Sequence, residues 1–168
     1  MAATEEFEAF VQARYAALAR TAVLLTGTRH TAEDLLQEAL IRTFVSWSRV
    51  RDGGAADAYV RTVMVRLLLK DRRRRWSGEI PHADLPETIG PTTDLDAAES
   101  VREALRRLPV DQRAAIVLRF YVDLTEAQIA DTIGCPPGTV KSRISRGLAA
   151  LRSSGLLAAD TFTTGASS

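Results

Sequence analysis

The strongest constraint on the fold lies between residues 125 and 152, where one helix must end, the chain must turn and a second helix must begin. Thr125 and Gln128 have the spacing of a capping box, in which each side chain bonds the backbone amide of the other residue. Gly134 can adopt the left-handed conformation that ends a helix, and the prolines at 136 and 137 cannot continue it. These signals predict a helix-turn-helix.

The second of these helices is basic on the side that its apolar residues leave free. Val140, Ile144, Leu148 and Leu151 recur at helical spacing and predict a buried stripe. The polar residues on its other faces are Lys141, Ser142, Ser145, Arg146 and Arg152. No acidic residue occurs between 132 and 159, so the helix is expected to bind the DNA phosphate backbone. The alternative is a helical hairpin whose cations are only solvated.

Composition favours an all-α globular protein over other classes. Of the 168 residues 46% are hydrophobic, enough for packed cores, and strand-like alternation is scarce. The only cysteine, Cys135, excludes an internal disulfide, and with His30 and His82 it makes no zinc cluster. No phosphate loop, nucleophile-base pair or metal constellation is recognisable, so neither an enzyme nor a cofactor is expected. A signal peptide and a membrane span are likewise not indicated, and we expect a cytoplasmic protein without membrane insertion.

The first half of the chain predicts three helices. The first runs from about Glu5 to Leu25 and ends at Thr26-Gly27, the second is capped by Thr31, and Asp57 can cap the third. The second helix carries one continuous apolar stripe, formed by Ala32, Leu35, Leu36, Ala39, Leu40, Thr43, Phe44 and Trp47. Three such helices can bury one core.

A sharp separation of charge marks the domain boundary. Residues 58–76 contain seven cations against one acid, 7 − 1 = +6, and residues 77–100 contain six acids and no cation, −6. The stretch after Trp76 is also rich in proline and lacks an apolar period, as a linker does. We predict a first domain at 1–76, an acidic flexible linker at 77–94 and a second domain at 95–155. The second domain is predicted to contain helices at 95–108 and 110–122 before the helix-turn-helix. A disordered polar tail is predicted at 156–168.

Two segments resemble bacterial RNA polymerase sigma factors of the extracytoplasmic-function group. AEDLLQEALIRTFVSW at 32–47 is similar to the polymerase-binding helix of sigma domain 2, and GTVKSRISRGLAALR at 138–152 to the promoter-recognition helix of domain 4. The resemblance extends from about Phe7 to Arg152, and the ending SRGLAALR is typical of an actinobacterial sigma-E-like subgroup. This resemblance implies a two-domain promoter-specificity subunit that binds core RNA polymerase and promoter DNA. It also implies that an anti-sigma factor can regulate the protein.

The resemblance also implies which residues bind. Domain 2 is expected to dock on the coiled coil of the largest polymerase subunit, and domain 4 on the flap of the second largest. The expected polymerase-binding residues are Asp34, Gln37, Glu38 and Arg42, which share one helix face. A merely solvated face is the alternative.

Promoter recognition is expected at two further surfaces. The −10 element would be captured as an unstacked strand by Arg49, Arg51, Asp52, Tyr59 and Arg61, with Arg66, Lys70 and Arg72 to Arg75 along the backbone. The −35 element would be read by Lys141, Ser142, Ser145 and Arg146, with Arg143 and Arg152 nearer the phosphates. Trp47 is expected in the core rather than stacked on a base, and Trp76 fits either role. The linker fits either a path through the polymerase RNA channel or a solubilising spacer.

Two other functions fit parts of this sequence. A helix-turn-helix regulator that binds operators as a dimer would leave the polar face of the second helix and the basic third helix unexplained. An adaptor that sequesters another transcription factor would give no promoter footprint.

Overall fold

A computed structural model describes residues 1–52, 54–76 and 93–155, without the side chains of 73–76 and 93–97. Within these ranges every regular element is helical, which confirms the predicted all-α class. The helices are α1 (Ala2–Thr26), α2 (Arg29–Val45), α3 (Trp47–Val50), α4 (Ala55–Trp76), α5 (Thr93–Arg106), α6 (Val110–Ile116), α7 (Glu126–Ile133) and α8 (Pro137–Ser153). Most of the predicted linker, the tail and the side chains of Arg73, Arg74, Arg75 and Trp76 lie outside the described residues.

Helices α1, α2 and α4 pack around one core in the first half of the chain. Leu18, Leu25, Leu36, Val60 and Met64 are almost completely buried there. Gly27 ends α1 with φ 90°, and its N–H donates to the carbonyl of Val23. The short connection to α2 therefore makes α1 and α2 close neighbours.

The helix starts differ from two sequence predictions. The N-cap of α2 is Thr28, whose hydroxyl accepts from the amide of Thr31, so the prediction of Thr31 as the cap is wrong. Both threonines precede the apolar stripe, and the turn at Gly27 leaves the helix room to begin earlier. Asp57 lies within the first turn of α4 rather than at its cap, where its carboxylate still favours the helix dipole.

An aromatic cluster closes the end of the first core. The Trp47 ring lies 5.2 Å from that of Phe7 and 5.4 Å from that of Phe10, and Trp47 is only 5% exposed. The expected core position of Trp47 is therefore confirmed. Phe44, predicted on the same apolar stripe, is 45% exposed, and its ring lies 5.0 Å from that of Phe7.

The second half contains the predicted helix-turn-helix, formed by α7 and α8, which packs on α6. Thr125 and Gln128 form the capping box of α7, and Gly134 ends α7 with φ 78°. Pro137 then opens α8 at a position where its missing amide costs nothing. The predicted helix at 110–122 is not uniform, because after α6 it widens into a π turn over Val117–Tyr121.

The two halves pack against each other in one continuous apolar cluster. Helix α4 contacts both α6 and α7, and α1 contacts α5 and α6. The stem of Arg106 lies directly against Gly27, so closely that a side chain at position 27 would collide with it. The basic helix α4 consequently lies beside the helix-turn-helix.

Candidate nucleic-acid interface

Helix α8 presents an exposed cationic face. Lys141, Ser142, Ser145 and Arg146 are all exposed, while Val140, Ile144 and Leu151 on the other side are buried against the core. The predicted −35 set therefore lies together, except for Arg143. Arg143 is half-buried, and its guanidinium lies 3.5 Å from the carboxylate of Asp111 and 3.8 Å from Sγ of Cys135.

Gly147 explains how α8 fits so closely on α6. A Cβ at this position would overlap Cδ1 of Ile116 and lie 3.5 Å from Cβ of Gln112. The absence of a side chain lets the two helices approach at this point. This contact fixes the position of α8 on α6, and with it the position of the exposed cations of α8.

Helix α4 carries the predicted −10 cations beside the helix-turn-helix. The Arg66 guanidinium donates to the carbonyls of Thr132, at 3.3 Å, and Asp131, at 3.4 Å. These carbonyls lie at the C-terminal end of α7, where the helix dipole attracts a cation. Arg72 forms an ion pair of 3.1 Å with Asp111 of α6. Lys70 is exposed.

Asp111 of α6 lies at the centre of the contact between α4 and α8. Its carboxylate lies between Arg72 of α4 and Arg143 of α8 and is 19% exposed. Burial by itself raises the pKa of Asp111, but the hydrogen bond from Arg72 and the charges of Arg72 and Arg143 outweigh burial and hold the pKa below its usual value. Asp111 is therefore a carboxylate at neutral pH.

Ser46 brings together two residues predicted for the −10 element. It is buried, and its hydroxyl oxygen accepts hydrogen bonds from the Tyr59 hydroxyl at 3.2 Å and from Arg49 at 3.3 Å. Arg51, also in the predicted set, pairs with Glu6 at 3.4 Å, and Asp52 is exposed. Ser46 could not be predicted from the sequence, because a single serine in a loop carries no distinctive pattern.

Arg61 lies apart from that pair. It bonds to Asp57 one turn earlier on α4, and Asp57 also accepts a hydrogen bond of 2.7 Å from Arg14 of α1. This hydrogen bond, together with the charge of Asp57, raises the pKa of Arg14. The Asp57 carboxylate thus holds the Arg61 side chain against α4 and also links α1 to α4.

The outer face of α2 holds the predicted polymerase-binding residues. Asp34, Gln37, Glu38 and Arg42 are all exposed, and Arg42 forms an ion pair of 2.7 Å with Glu38. Two apolar residues that were not predicted for the site share this face, Ile41 at 60% and Val45 at 80% exposed. Their spacing of three and four residues from the polar set would have revealed them. Exposed aliphatic side chains among charges are typical of a protein-binding surface.

Comparison with known proteins assigns both halves of the chain. Residues 10–78 match the family model for sigma-70 region 2, and residues 98–151 match that for sigma-70 region 4. The chain is 38% identical over 149 residues to the RNA polymerase sigma-E factor of Streptomyces coelicolor, with 88% of this chain and 84% of that protein covered. The chain is an RNA polymerase sigma factor of the extracytoplasmic-function group.

Further relatives agree with this assignment. The extracytoplasmic-function sigma factor SigM of Mycobacterium tuberculosis is 34% identical over 150 residues. The match covers 86% of the present chain and 74% of SigM. The sigma factor RpoE of Bartonella quintana, solved in complex with the anti-sigma factor NepR, superposes with a TM-score of 0.69 at 26% identity, covering 93% of this chain and 99% of that chain. As a sigma factor, the protein acts in promoter-specific transcription initiation. None of the described helices is long and apolar enough to cross a membrane.

Proposed function

We propose that this sigma factor docks on core RNA polymerase through the outer face of α2. The polar residues Asp34, Gln37, Glu38 and Arg42 would pair with charged groups of the polymerase coiled coil. Ile41 and Val45 would then be buried in the complex, because exposed aliphatic residues gain most from removal from water. Residues 1–76 and 95–155 would act as the two functional domains, the second of which would contact the flap.

Promoter recognition is proposed for α4 with its preceding loop and for α8. Tyr59 and Arg49, held by Ser46, would receive an unstacked base of the −10 element, with Arg66 and Lys70 along the strand. Lys141, Ser142, Ser145 and Arg146 would face the major groove at −35. The observation that carries this proposal is the exposed, acid-free face of α8 on a chain whose second exposed face is suited to a protein partner.

The protein would perform no chemistry of its own and would work in the cytoplasm, where core polymerase and promoters are found. Run-off transcription with purified core polymerase on genomic fragments tests the proposal. Specific transcripts should appear only when both proteins are present. Tight sequence-specific binding of a promoter duplex by the sigma factor alone, at physiological salt, would instead favour a self-sufficient operator-binding regulator.

An anti-sigma factor is a further proposed partner. The solved relative was crystallised with one, and here an apolar cavity of about 700 Å³ opens between α1 and α2 on one side and α5 on the other. Val101, 41% exposed, lies in its wall. Val101→Glu should raise promoter activity in cells and leave run-off transcription with purified core polymerase unchanged. Equal activity of the variant and the parent in cells would contradict an anti-sigma factor at this cavity.

A further inference from the structure

The contact between the two halves uses cations that the proposed function assigns to promoter DNA. Arg66 of α4 donates to the carbonyls of Asp131 and Thr132 at the end of α7, and Arg72 pairs with Asp111. The carbonyl and carboxylate oxygens that these arginines bond to carry a negative charge or partial charge, as the phosphate oxygens of a DNA strand do. They therefore occupy the places that phosphates would take. As long as these contacts hold, neither arginine can follow a DNA backbone.

Asp111 also restrains a cation of the other DNA-binding element. Its carboxylate lies 3.5 Å from Arg143, which belongs to the promoter-recognition helix α8. One half-buried carboxylate on α6 therefore holds one arginine from each of the two surfaces. In contrast, Lys141, Ser142, Ser145 and Arg146 remain exposed beside it.

We propose that Asp111 is the latch of a closed form, in which α4 is withheld from single-stranded DNA while the base-reading face of α8 stays accessible. The inference rests on the proposed function for the identity of the DNA, but the latch itself is a property of the isolated chain. Opening would release Arg66 and Arg72 together, and it would free Arg143 for a phosphate.

The strength of these contacts suits a reversible latch. Arg66 is exposed and hydrogen-bonds to backbone carbonyls, and the Arg72 side chain is 44% exposed. Polar contacts with such exposure contribute little stability. The apolar packing of the two halves is interrupted beside these contacts, where a cavity of about 320 Å³ lies between Leu69 of α4 and the turn at Ile133 to Cys135. Binding of core polymerase or of a DNA strand can therefore compete with the closed form.

Cross-linking measures the closed form without DNA. Cys135 is the only cysteine, and Leu69 lines the same cavity, so a Leu69→Cys variant places two thiols across the contact. A short bismaleimide should join them in high yield. Asp111→Asn in that background should lower the rate of cross-linking about two- to fivefold, as loss of a partly exposed ion-pair network implies.

Asp123→Asn is the matched control. It removes the same single charge from the same half of the chain, but Asp123 is 93% exposed and lies 3.8 Å from Arg119, one turn earlier. Asparagine also tolerates its φ of 65°. Asp123→Asn should leave the cross-linking rate unchanged. Equal rates for the two variants would overturn the latch.

Two further measurements keep the result clear if Leu69→Cys disturbs packing. Small-angle scattering of the protein without that substitution should give a larger radius of gyration for Asp111→Asn than for Asp123→Asn. Arg72→Ala should also increase it. An unchanged radius in both Asp111→Asn and Arg72→Ala would overturn the proposal.

Strand binding then connects the latch to function. A single-stranded oligonucleotide carrying the −10 sequence should bind Asp111→Asn about two- to fivefold more tightly than Asp123→Asn, whereas affinity for a −35 duplex should change less. Equal strand affinities, with cross-linking lowered as expected, would contradict the assignment of α4 to the −10 strand and leave the latch intact. Normal cross-linking in Asp111→Asn would contradict the latch and leave the proposed function intact.

Discussion

Ile116 of α6 fills the space that a side chain at Gly147 of α8 would need. Its Cδ1 lies where the added Cβ would stand, and its Cγ1 would be 3.3 Å away. Ile116 is itself buried, and both of these atoms would have to shift to admit a side chain at position 147. The glycine is therefore a packing requirement of region 4, although it lies in the middle of a helix.

Gly147→Ala should lower the stability of this sigma factor. Alanine would gain about 1 kcal/mol of helix propensity, but overpacking a close helix contact costs about 1 to 3 kcal/mol. We expect a net loss, measured as a lower midpoint of urea unfolding followed by circular dichroism. Ile116→Val removes the overlapping Cδ1, so the double variant should be more stable than the sum of the single changes predicts.

Gly138→Ala is the control for this prediction. Gly138 lies in the first turn of the same helix, is exposed and has nothing within 4 Å of an added Cβ. Its replacement should be neutral or stabilising. If Gly147→Ala proves as stable as Gly138→Ala, the close approach to Ile116 does not constrain the sequence.

Local signals in the sequence were sufficient to predict the helix-turn-helix. The capping box at Thr125 and the left-handed residue Gly134 act within one turn of the chain, so their spacing alone determines the outcome. The choice between Thr28 and Thr31 as the cap of α2 failed because both can cap a helix. In the structure α1 ends at Gly27, and Thr28, the next residue, caps α2.

Long-range relationships could not be predicted in this way. Asp111 has no unusual sequence context, and its role depends on Arg72 and Arg143, which are 39 residues before it and 32 after it (111 − 72 and 143 − 111). The exposure of Phe44 likewise depends on how Phe7 and Trp47 fill the end of the first core. Periodicity assigns a residue to a helix face, but a neighbouring element decides whether that face is covered.

Replacement of Asp34, Gln37 and Glu38 by alanine should weaken binding to core polymerase sharply. Stability should hardly change, because exposed substitutions usually alter it by less than about 0.5 kcal/mol. Binding can be measured by fluorescence anisotropy with labelled sigma factor. Glu5, Glu8 and Gln12 of α1, two acids and one amide that are also exposed, form the matched triple control. Unchanged affinity in the α2 triple variant would remove this face from the polymerase interface.

The apolar residues of the same face give an independent test. Ile41→Ser and Val45→Ser should each keep the melting temperature within a few degrees, since both side chains are already exposed. If α2 docks on polymerase, each loses aliphatic burial in the complex and affinity should fall about tenfold or more. A surface that is only solvated would show wild-type affinity in both variants.

Ser46→Ala should impair promoter opening more than promoter binding. The serine hydroxyl accepts from both Tyr59 and Arg49, and without it these side chains lose their common anchor. Loss of such a bond is worth about 1 kcal/mol, so open complexes should fall about fivefold, as measured by permanganate reactivity of unpaired thymines. Ser48→Ala, on an exposed neighbour, serves as the control. Equal opening by the two variants would show that Ser46 does not organise the −10 site.

The roles of Arg146 and Arg152 can be separated by sequence and by salt. Both are exposed on α8, and Lys141 lies five residues before Arg146 on the same helix. If Arg146 contacts a guanine edge, Arg146→Ala should cost about 1 to 3 kcal/mol on the preferred −35 sequence and relax selectivity at one base pair. Arg152→Ala, if Arg152 contacts phosphate alone, should weaken binding to all −35 sequences alike and reduce the salt dependence of binding.

Holoenzyme binding to a panel of −35 variants at several salt concentrations measures both effects. Uniform weakening by Arg146→Ala would make Arg146 an anchor, and base recognition would then fall to Lys141, Ser142 or Ser145.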